Sequence, residues 1–140
     1  MLEVRFYEEV DDRLLKFAVI IAKSGGKWVM CKHRQRDTYE VPGGHREPGE
    51  DILTTARREL YEESGALAYD IRPVCVYSVL SGGEETFGML YYAEITEFEG
   101  ALHSEIERVE LFDTLPENWT YPLIQPLLIQ EFEKRNKERV

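Results

Sequence analysis

Segment 44–66 constrains the fold of this chain most, because it holds the start signal, the interior and the stop signal of one helix. Asp51 is a residue type that caps helix N-termini, and the residues after it contain no proline or glycine and are rich in Leu, Ala, Arg and Glu. Gly65 follows where a left-handed C-cap belongs. The sequence therefore predicts a helix of about four turns over residues 51–64.

Acidic side chains crowd along one edge of this predicted helix. At about 100° per residue, the apolar stripe consists of Leu53, Ala56 and Leu60. The carboxylates beside that stripe belong to Glu59, Glu62 and Glu63. Like charges at this spacing repel one another, and the cost grows when they are desolvated beside a core. A solvated acidic face is the common explanation of such a run, but these carboxylates adjoin the apolar stripe instead of opposing it.

A glycine-containing segment precedes the helix. Residues 41–44 read Val-Pro-Gly-Gly, which predicts a turn whose exposed backbone approaches an anion or a metal closely. A hard divalent cation such as Mg2+ would offset the repulsion, because it takes oxygen ligands, keeps several waters and shares its remaining positions with substrate phosphates. We therefore predict a metal site at the three glutamates.

The fixed positions of the segment form a longer pattern. They are Gly44, Glu50, Arg58, Glu59, Leu60, Glu62, Glu63, Gly65 and Ala66. Together they match G-x5-E-x7-R-E-U-x-E-E-x-G-U, with U aliphatic or small, at every position. This pattern resembles the signature box of the Nudix (MutT-like) hydrolases. The resemblance implies an α/β/α sandwich with a mixed central sheet, and an enzyme that hydrolyses the diphosphate linkage of a nucleoside diphosphate joined to another group.

The resemblance also implies roles for individual residues. Glu59, Glu62 and Glu63 correspond to the family's metal ligands, and the carbonyl of Gly43 completes the set. The implied cofactor is Mg2+, with Mn2+ as a substitute. Clustered metal ions neutralise the diphosphate and acidify the attacking water, and Glu59 is one candidate for the base that accepts its proton.

Two further charged residues complete the expected catalytic set. Arg58 is expected to form an orienting ion pair with a box carboxylate, and the resemblance favours Glu50 as its partner. Many members place another glutamate after the later strands, as ligand or base. We choose Glu105 for it, with Glu107 as the competing choice and an exposed loop glutamate as the alternative. The isolated histidines, expected to be surface or packing residues, are His33, His45 and His103.

Basic residues are concentrated near the box, although the chain carries a net charge of -10. We predict that one or two of Arg34, Arg36 and Arg46 hold non-reacting phosphate oxygens; the alternative is solvated cations in ion pairs. This negative net charge argues against a nucleic-acid polymer as partner, because duplex binding relies on a basic surface. A small-molecule nucleotide carried with its metal is the expected partner.

The rest of the chain predicts a scaffold of strands and a second helix. The predicted strands are a short one within 3–8, a pair at 17–23 and 27–33, a hairpin at 71–81 and 86–96, and a short strand at 109–112. Residues 121–135 read as an amphipathic helix that Pro126 kinks or restarts, with Ile124, Leu127, Leu128 and Phe132 inward. The length of 140 residues and the uniform composition indicate one domain over 1–140.

Composition also bears on the compartment. The N-terminal residues lack the basic start and apolar run of a signal peptide, and the longest wholly apolar stretch, 17–22, is too short to span a membrane. Cys31 and Cys75 lie in apolar, strand-like segments and are expected to be reduced thiols in or near the core. We therefore expect a cytoplasmic protein without a membrane partner, and the resemblance suggests a homodimer.

Substrate choice is constrained less tightly. No SQPWPFP-like segment of the NADH members follows the box, and no coenzyme A signature precedes it. The position of the downstream proline of the ADP-ribose members is occupied by Leu80 or its neighbours. The first choice is a nucleoside triphosphate, oxidised purine forms included, that yields nucleoside monophosphate and pyrophosphate. The alternatives are an ADP-sugar or other dinucleotide, and a non-catalytic Nudix-fold module that senses nucleotides or binds proteins.

Overall fold

The computed structural model describes residues 2–100 and 106–138. The elements in chain order are β1 (Glu3–Tyr7), a short 3-10 helix (Asp12–Leu14), β2 (Leu15–Ser24), β3 (Lys27–His33), β4 (Gly43–His45), α1 (Ile52–Ser64), β5 (Ala66–Ser81), β6 (Glu84–Phe98), β7 (Ile106–Phe112) and α2 (Gln125–Glu138). The strands form one 7-stranded sheet in the order β1-β5-β6-β2-β3-β7, with β4 paired to β2 off this path. Because β2 and β6 are parallel and their other neighbours are antiparallel, the sheet is mixed, as predicted.

The two helices cover opposite faces of this sheet. Successive side chains of a strand point to opposite faces, so adjacent residues of β2 enter different cores. Ile20 belongs to the buried cluster that contains Ala56 and Leu60 of α1. Ile21 belongs to the cluster that contains Leu128 of α2. The predicted α/β/α sandwich is therefore confirmed.

The longest pairing in the sheet is the hairpin of β5 and β6. Its register runs from Ala66 opposite Phe98 to Ser81 opposite Glu84. The predicted hairpin is confirmed, but β5 begins five residues earlier than predicted, directly after the glycine that ends α1. The long hairpin places β5 beside the edge strand β1 and β6 beside β2.

The segment before α1 differs from the prediction. Residues 41–44 are not a turn, because Gly43–His45 form strand β4 and pair antiparallel with residues 17–19 of β2. β2 and β3 pair only at Lys23 with Trp28 and at Ser24 with Lys27, and then diverge. β4 therefore fills the gap that opens between these two strands.

Helix α1 has the predicted boundaries. The Asp51 side chain accepts a hydrogen bond of 2.8 Å from the backbone N–H of Thr54, and Gly65 caps the other end in the left-handed conformation, with φ of 73°. The predicted apolar stripe is wrong at Leu53, which is 39% exposed. Thr55 takes the buried position in the first turns, because its hydroxyl donates to Glu50 and so satisfies its polar group.

Helix α2 begins later than predicted. It starts at Gln125 instead of 121, and Pro126 is its second residue, where a missing backbone N–H costs no helical hydrogen bond. The inward assignment of Leu127 is wrong, since this side chain is exposed while Ile129 is buried. Within the described part of the chain, neither helix is long and apolar enough to cross a bilayer.

The corrected burial pattern of α1 predicts different costs for two leucine truncations. Leu60→Ala removes a fully buried side chain and is expected to lower the free energy of unfolding by about 3 kcal/mol. Leu53→Ala removes a partly exposed side chain and should cost less than about 1 kcal/mol. Urea denaturation of both variants measures the difference, and equal losses would contradict this orientation of the helix.

Candidate active site

Arg58 is the centre of an ion-pair network on α1. Its guanidinium contacts Glu50 through two hydrogen bonds, of 2.6 and 3.1 Å, so the predicted pair is present. It also donates to Glu59 and Glu62, each at 3.1 Å, and to the backbone carbonyl of His45 at 2.9 Å. The hydrogen bond from Arg58 is the largest cause of the lowered pKa of Glu50, which is about 2. Arg58 therefore fixes the charged state of Glu50 and ties α1 to β4.

The three box glutamates differ in exposure. The side chains of Glu59 and Glu63 are 13% and 15% exposed, whereas that of Glu62 is 49% exposed. Glu63 accepts a hydrogen bond of 2.9 Å from the backbone N–H of Gly43. Two of the three carboxylates are thus sheltered between α1 and β4, and Glu62 lies at the surface.

Burial makes the charged form of the sheltered carboxylates unfavourable. It raises the pKa of Glu63 to about 8, against the opposing effect of the Gly43 hydrogen bond, and the nearby negative charges of Glu59 and Glu40 add to the rise. Burial also raises the pKa of Glu59, although Arg58 opposes this effect. The charged form is therefore strongly disfavoured at Glu63.

Two glycines allow β4 to pass this close to α1. A Cβ atom added at Gly44 would overlap the carboxylate of Glu59. One added at Gly43 would lie 2.7 Å from the carbonyl oxygen of Ala18 in β2. Both positions have extended backbone, so they need glycine for space and not for a left-handed turn.

His33 and Glu40 join the site, although the sequence pattern indicated neither. His33 Nε2 lies 2.6 Å from Glu40 Oε1 and 3.4 Å from Glu63 Oε2. The 2.6 Å contact is close but lies outside hydrogen-bonding geometry. Burial raises the pKa of Glu40, and the nearby His33 and Arg36 oppose this rise. The signal for Glu40 in the sequence was its place between Tyr39 and Val41, in a segment otherwise apolar.

A cavity of about 650 Å³ opens beside these residues. Its charged end is lined by Glu63, Glu40, His33 and the backbone of β4. Apolar side chains of the α2-side core and Phe17 line the rest, the former including Val19, Val41, Val79, Ile124 and Leu128. A concave site of this size with a few polar groups is typical of small-molecule binding.

The predicted phosphate-binding arginines fall into two groups. Arg34 and Arg36 line the cavity, and Arg36 also lies 3.8 Å from Glu40. Arg46 is not among the lining residues. Its guanidinium donates to the carbonyls of Asp12, Leu15 and Glu50, at 2.8 to 3.2 Å, and pairs with the Asp12 carboxylate. The predicted Glu105 and its competitor Glu107 have no described side chains, since 101–105 lie outside the described residues and 107 is described by backbone alone.

The donor atoms at the charged end fit a hard divalent cation. No three acidic, histidine or cysteine side chains of the described residues already converge on one point as a complete metal cage. Mg2+ does not need one, because it binds through one or two carboxylates and completes its shell with water and substrate phosphate. Glu59 and Glu63 supply sheltered oxygen donors, and burial raises the pKa of both, so a bound cation would favour their charged forms.

A mixed sheet with one helix on each face, and sheltered glutamates beside a strand that contains two glycines, defines a known class of domain. The NUDIX domain family model matches residues 12–120, so the chain belongs to the NUDIX family. A protein of Bacillus subtilis (strain 168), which carries the provisional name 8-oxo-dGTP diphosphatase YtkD, is 36% identical over 104 residues. That match covers 74% of this chain but only 65% of the relative, slightly less than two thirds of its length.

Solved structures share the same fold. A mutant of the Bacillus subtilis pyrophosphohydrolase BsRppH superposes with a TM-score of 0.78 at 26% identity, covering 95% of this chain and 90% of that one. A UDP-X diphosphatase superposes with a TM-score of 0.74 at 17% identity, covering 96% of this chain and 67% of that one. The second likeness concerns the fold alone.

The raised pKa of Glu63 predicts a pH-dependent stability of the metal-free protein. Between pH 4.5 and about 8 the folded state binds a proton that the unfolded state has lost, so stability falls as pH rises through this window. Glu63→Gln keeps an acceptor for Gly43 and should flatten this dependence, raising stability at pH 8 by at most about 4 kcal/mol. Thermal denaturation with a chelator present measures both effects.

Glu62→Gln is the matched control for this measurement. Glu62 is on the same helix and half-exposed, so its neutralisation removes little desolvation cost. If the pH dependence of stability persisted in Glu63→Gln but disappeared in Glu62→Gln, Glu62 would be its cause and the prediction would be wrong.

Proposed function

We propose that this chain is a metal-dependent NUDIX hydrolase that cleaves the diphosphate linkage of a nucleoside triphosphate into nucleoside monophosphate and pyrophosphate. The observation that carries the proposal is a pair of sheltered carboxylates on a capped helix: Glu63 lines the cavity and accepts from the Gly43 N–H, and Glu59 lies against Gly44. Sheltered carboxylates at a cavity mouth suit a hard cation that is shared with phosphate oxygens.

The proposed chemistry is water attack on phosphorus. The bond between the attacked phosphorus and the bridging oxygen breaks, and the leaving pyrophosphate keeps that oxygen with its electron pair. A bound Mg2+, or Mn2+ in its place, supplies charge neutralisation and lowers the pKa of the attacking water. Glu59, Glu62, Glu63 and the Gly43 carbonyl are the proposed ligands.

The remaining residues orient the substrate and move the proton. Arg58 holds Glu50 and Glu59 in fixed positions, and so limits which carboxylate oxygens can reach a ligand. Arg34 and Arg36 line the cavity and are the proposed contacts of non-reacting phosphate oxygens. The proton of the attacking water passes to a carboxylate base, for which Glu59 and Glu105 remain the two candidates.

The choice of a triphosphate rests on likeness to a named relative. The relative that is 36% identical is named for a diphosphatase of 8-oxo-dGTP, which supports an oxidised purine nucleotide as the first substrate to test. An ADP-sugar or a dinucleotide is the alternative substrate.

The free thiols of Cys31 and Cys75 support a reducing compartment, and hence the cytoplasm.

A substrate panel tests the activity and its leaving group. With Mg2+, we expect conversion of dGTP or 8-oxo-dGTP to monophosphate and pyrophosphate, and slower turnover of ADP-ribose and diadenosine tetraphosphate. Glu59→Gln and Glu63→Gln should each lower kcat by about 100-fold or more, since loss even of groups that only support metal ligands costs 10–100-fold. Glu97→Gln, an exposed glutamate of β6, is the matched control and should keep the wild-type rate.

The competing function is a module that binds nucleotides or proteins without turnover. Retention of all the box carboxylates favours the enzyme over this module. No product from any nucleotide of the panel, or equal rates for wild type and both glutamine variants, would favour the module instead.

Metal binding can be tested without turnover. Mg2+ should raise the thermal stability of the wild-type protein, and a chelator should reverse the change, because a ligand that binds only the folded state stabilises it. The stabilisation is about 2.7 kcal/mol when Mg2+ is present at 100 times its Kd. Glu59→Gln and Glu63→Gln should weaken it and Glu97→Gln should not; an equal response in all four proteins would exclude the proposed ligands.

A further inference from the structure

Glu40 is a buried carboxylate at the charged end of the cavity, and the proposed hydrolysis gives it no role. Its side chain is 6% exposed, and its Oε1 is the one buried side-chain oxygen or nitrogen of the described residues that makes no hydrogen bond. A buried carboxylate destabilises a fold unless nearby charges or donors compensate it. A carboxylate kept at such a cost calls for an explanation in the chemistry of the site.

The backbone holds Glu40 in place independently of its carboxylate. The N–H and the carbonyl of Glu40 form hydrogen bonds of 3.0 and 2.8 Å with the backbone of Cys31 in β3. Cys31 is itself fully buried. Glu40 is therefore an anchored acidic group, and the side chains around it are the ones that its charge can position.

Two basic side chains face the Glu40 carboxylate. His33 Nε2 lies 2.6 Å from Oε1, and Arg36 Nη1 lies 3.8 Å from Oε2. The Arg36 side chain is 47% exposed, so water screens its attraction, whereas the His33 side chain is 20% exposed. His33 is therefore the main partner of Glu40.

The same ring nitrogen of His33 also approaches Glu63. Nε2 lies 3.4 Å from Glu63 Oε2, while Glu63 Oε1 accepts its hydrogen bond from the Gly43 N–H. A nitrogen lone pair that faced two carboxylates would be repelled by both, so we place the ring proton on Nε2. A protonated Nε2 has no lone pair for a metal ion, so His33 can act on Glu63 but not as a ligand through this atom.

We propose that His33 is a positioning residue for the metal-binding carboxylate of Glu63, and that Glu40 is the anchor that holds the His33 ring beside it. This inference rests on the proposed function for the presence of a metal ion. Each carboxylate oxygen has two lone pairs, so Glu63 can accept from Gly43 and from His33 and still bind a cation. Groups that hydrogen-bond to metal ligands orient them, and their loss costs about 10–100-fold in metal affinity or activity.

The competing explanation is electrostatic balance alone. In that case the charge of Glu40 attracts a cation directly, and His33 only offsets part of that charge. Removal of His33 would then leave metal binding unchanged or make it tighter, because a nearby basic group repels a cation. The positioning role predicts the opposite sign, since a carboxylate that is not held in place loses conformational freedom when it binds the ion.

Binding of Mn2+ without nucleotide separates the two explanations. The Kd follows from the electron paramagnetic resonance signal of the free ion in titrations of the full chain. His33→Phe keeps a flat ring without an N–H donor and should weaken Mn2+ binding about 10-fold. His33→Gln places an amide N–H near the position of Nε2 and should stay within about 3-fold of the wild type. Glu97→Gln, at an exposed position of β6, should bind Mn2+ as the wild type does.

A double-mutant cycle tests the anchor. Glu40→Gln keeps an acceptor for the ring but removes the charge, so it should weaken Mn2+ binding about 5-fold in the otherwise wild-type chain. In the His33→Phe background the same substitution should change the Kd by less than about 2-fold, because Glu40 acts through His33. An effect of equal size in both backgrounds would mean that the charge of Glu40 acts on the ion directly, and would overturn the anchor.

The remaining results also decide the inference. Unchanged or tighter Mn2+ binding in His33→Phe would overturn it, and so would an equal loss in His33→Phe and His33→Gln. Thermal melts in chelator show whether each variant folds. If His33→Phe does not, His33→Asn takes its place, because its amide is one methylene shorter than that of His33→Gln and falls short of Glu63.

The wild-type protein separates this inference from the proposed function. Absence of Mn2+ binding by the wild type would reject the metal-dependent function together with the positioning pair. Wild-type binding that His33→Phe leaves unaltered would reject the pair alone.

Discussion

The close approach of strand β4 to helix α1 is the contact on which the candidate site depends. It exists because Gly43 and Gly44 carry no side chains, so the β4 backbone reaches the carboxylates of Glu59 and Glu63 directly. This contact desolvates both carboxylates and fixes one of them by a backbone hydrogen bond. Without it, the glutamates of α1 would form an exposed acidic face, where like charges are screened and cost little.

The divergence of β2 and β3 makes room for both β4 and the cavity. After two paired positions these strands separate, and residues 39–45 occupy the gap. Glu40 pairs with Cys31 of β3, with backbone hydrogen bonds of 2.8 and 3.0 Å, and β4 then pairs with β2. One segment therefore joins both strands, places Glu40 beside His33, and offers the Val41 N–H to Gln125 of α2.

What could be predicted from the sequence was largely local. The boundaries of α1 follow from Asp51 and Gly65, and the Arg58–Glu50 pair follows from a motif with fixed spacing. Strand β4 was missed because it is a three-residue strand with two glycines, which has no strand propensity and exists only through pairing with a distant strand. Leu53 was assigned to the core because periodicity describes a face of the helix but not how far the core extends along it.

The residues that sequence reasoning did not identify share one property: they act through contacts between distant segments. His33 ends one strand, Glu40 lies in an irregular segment, and Gln125 begins the last helix, so no spacing rule connects them. Each nevertheless carries a physical trace in the structure, since a polar side chain is buried at a cost unless a partner or a ligand compensates it.

Arg58 divides the glutamates near α1 into those that it contacts and one that it leaves to face the cavity. The guanidinium contacts Glu50, Glu59 and Glu62, and leaves Glu63 without a contact from it. Glu63 is the carboxylate that lines the cavity, and its pKa is raised to about 8. A single arginine thus pairs with the outer carboxylates of the acidic helix. Glu63, which Arg58 does not contact, faces the cavity, where a bound cation would favour its charged form.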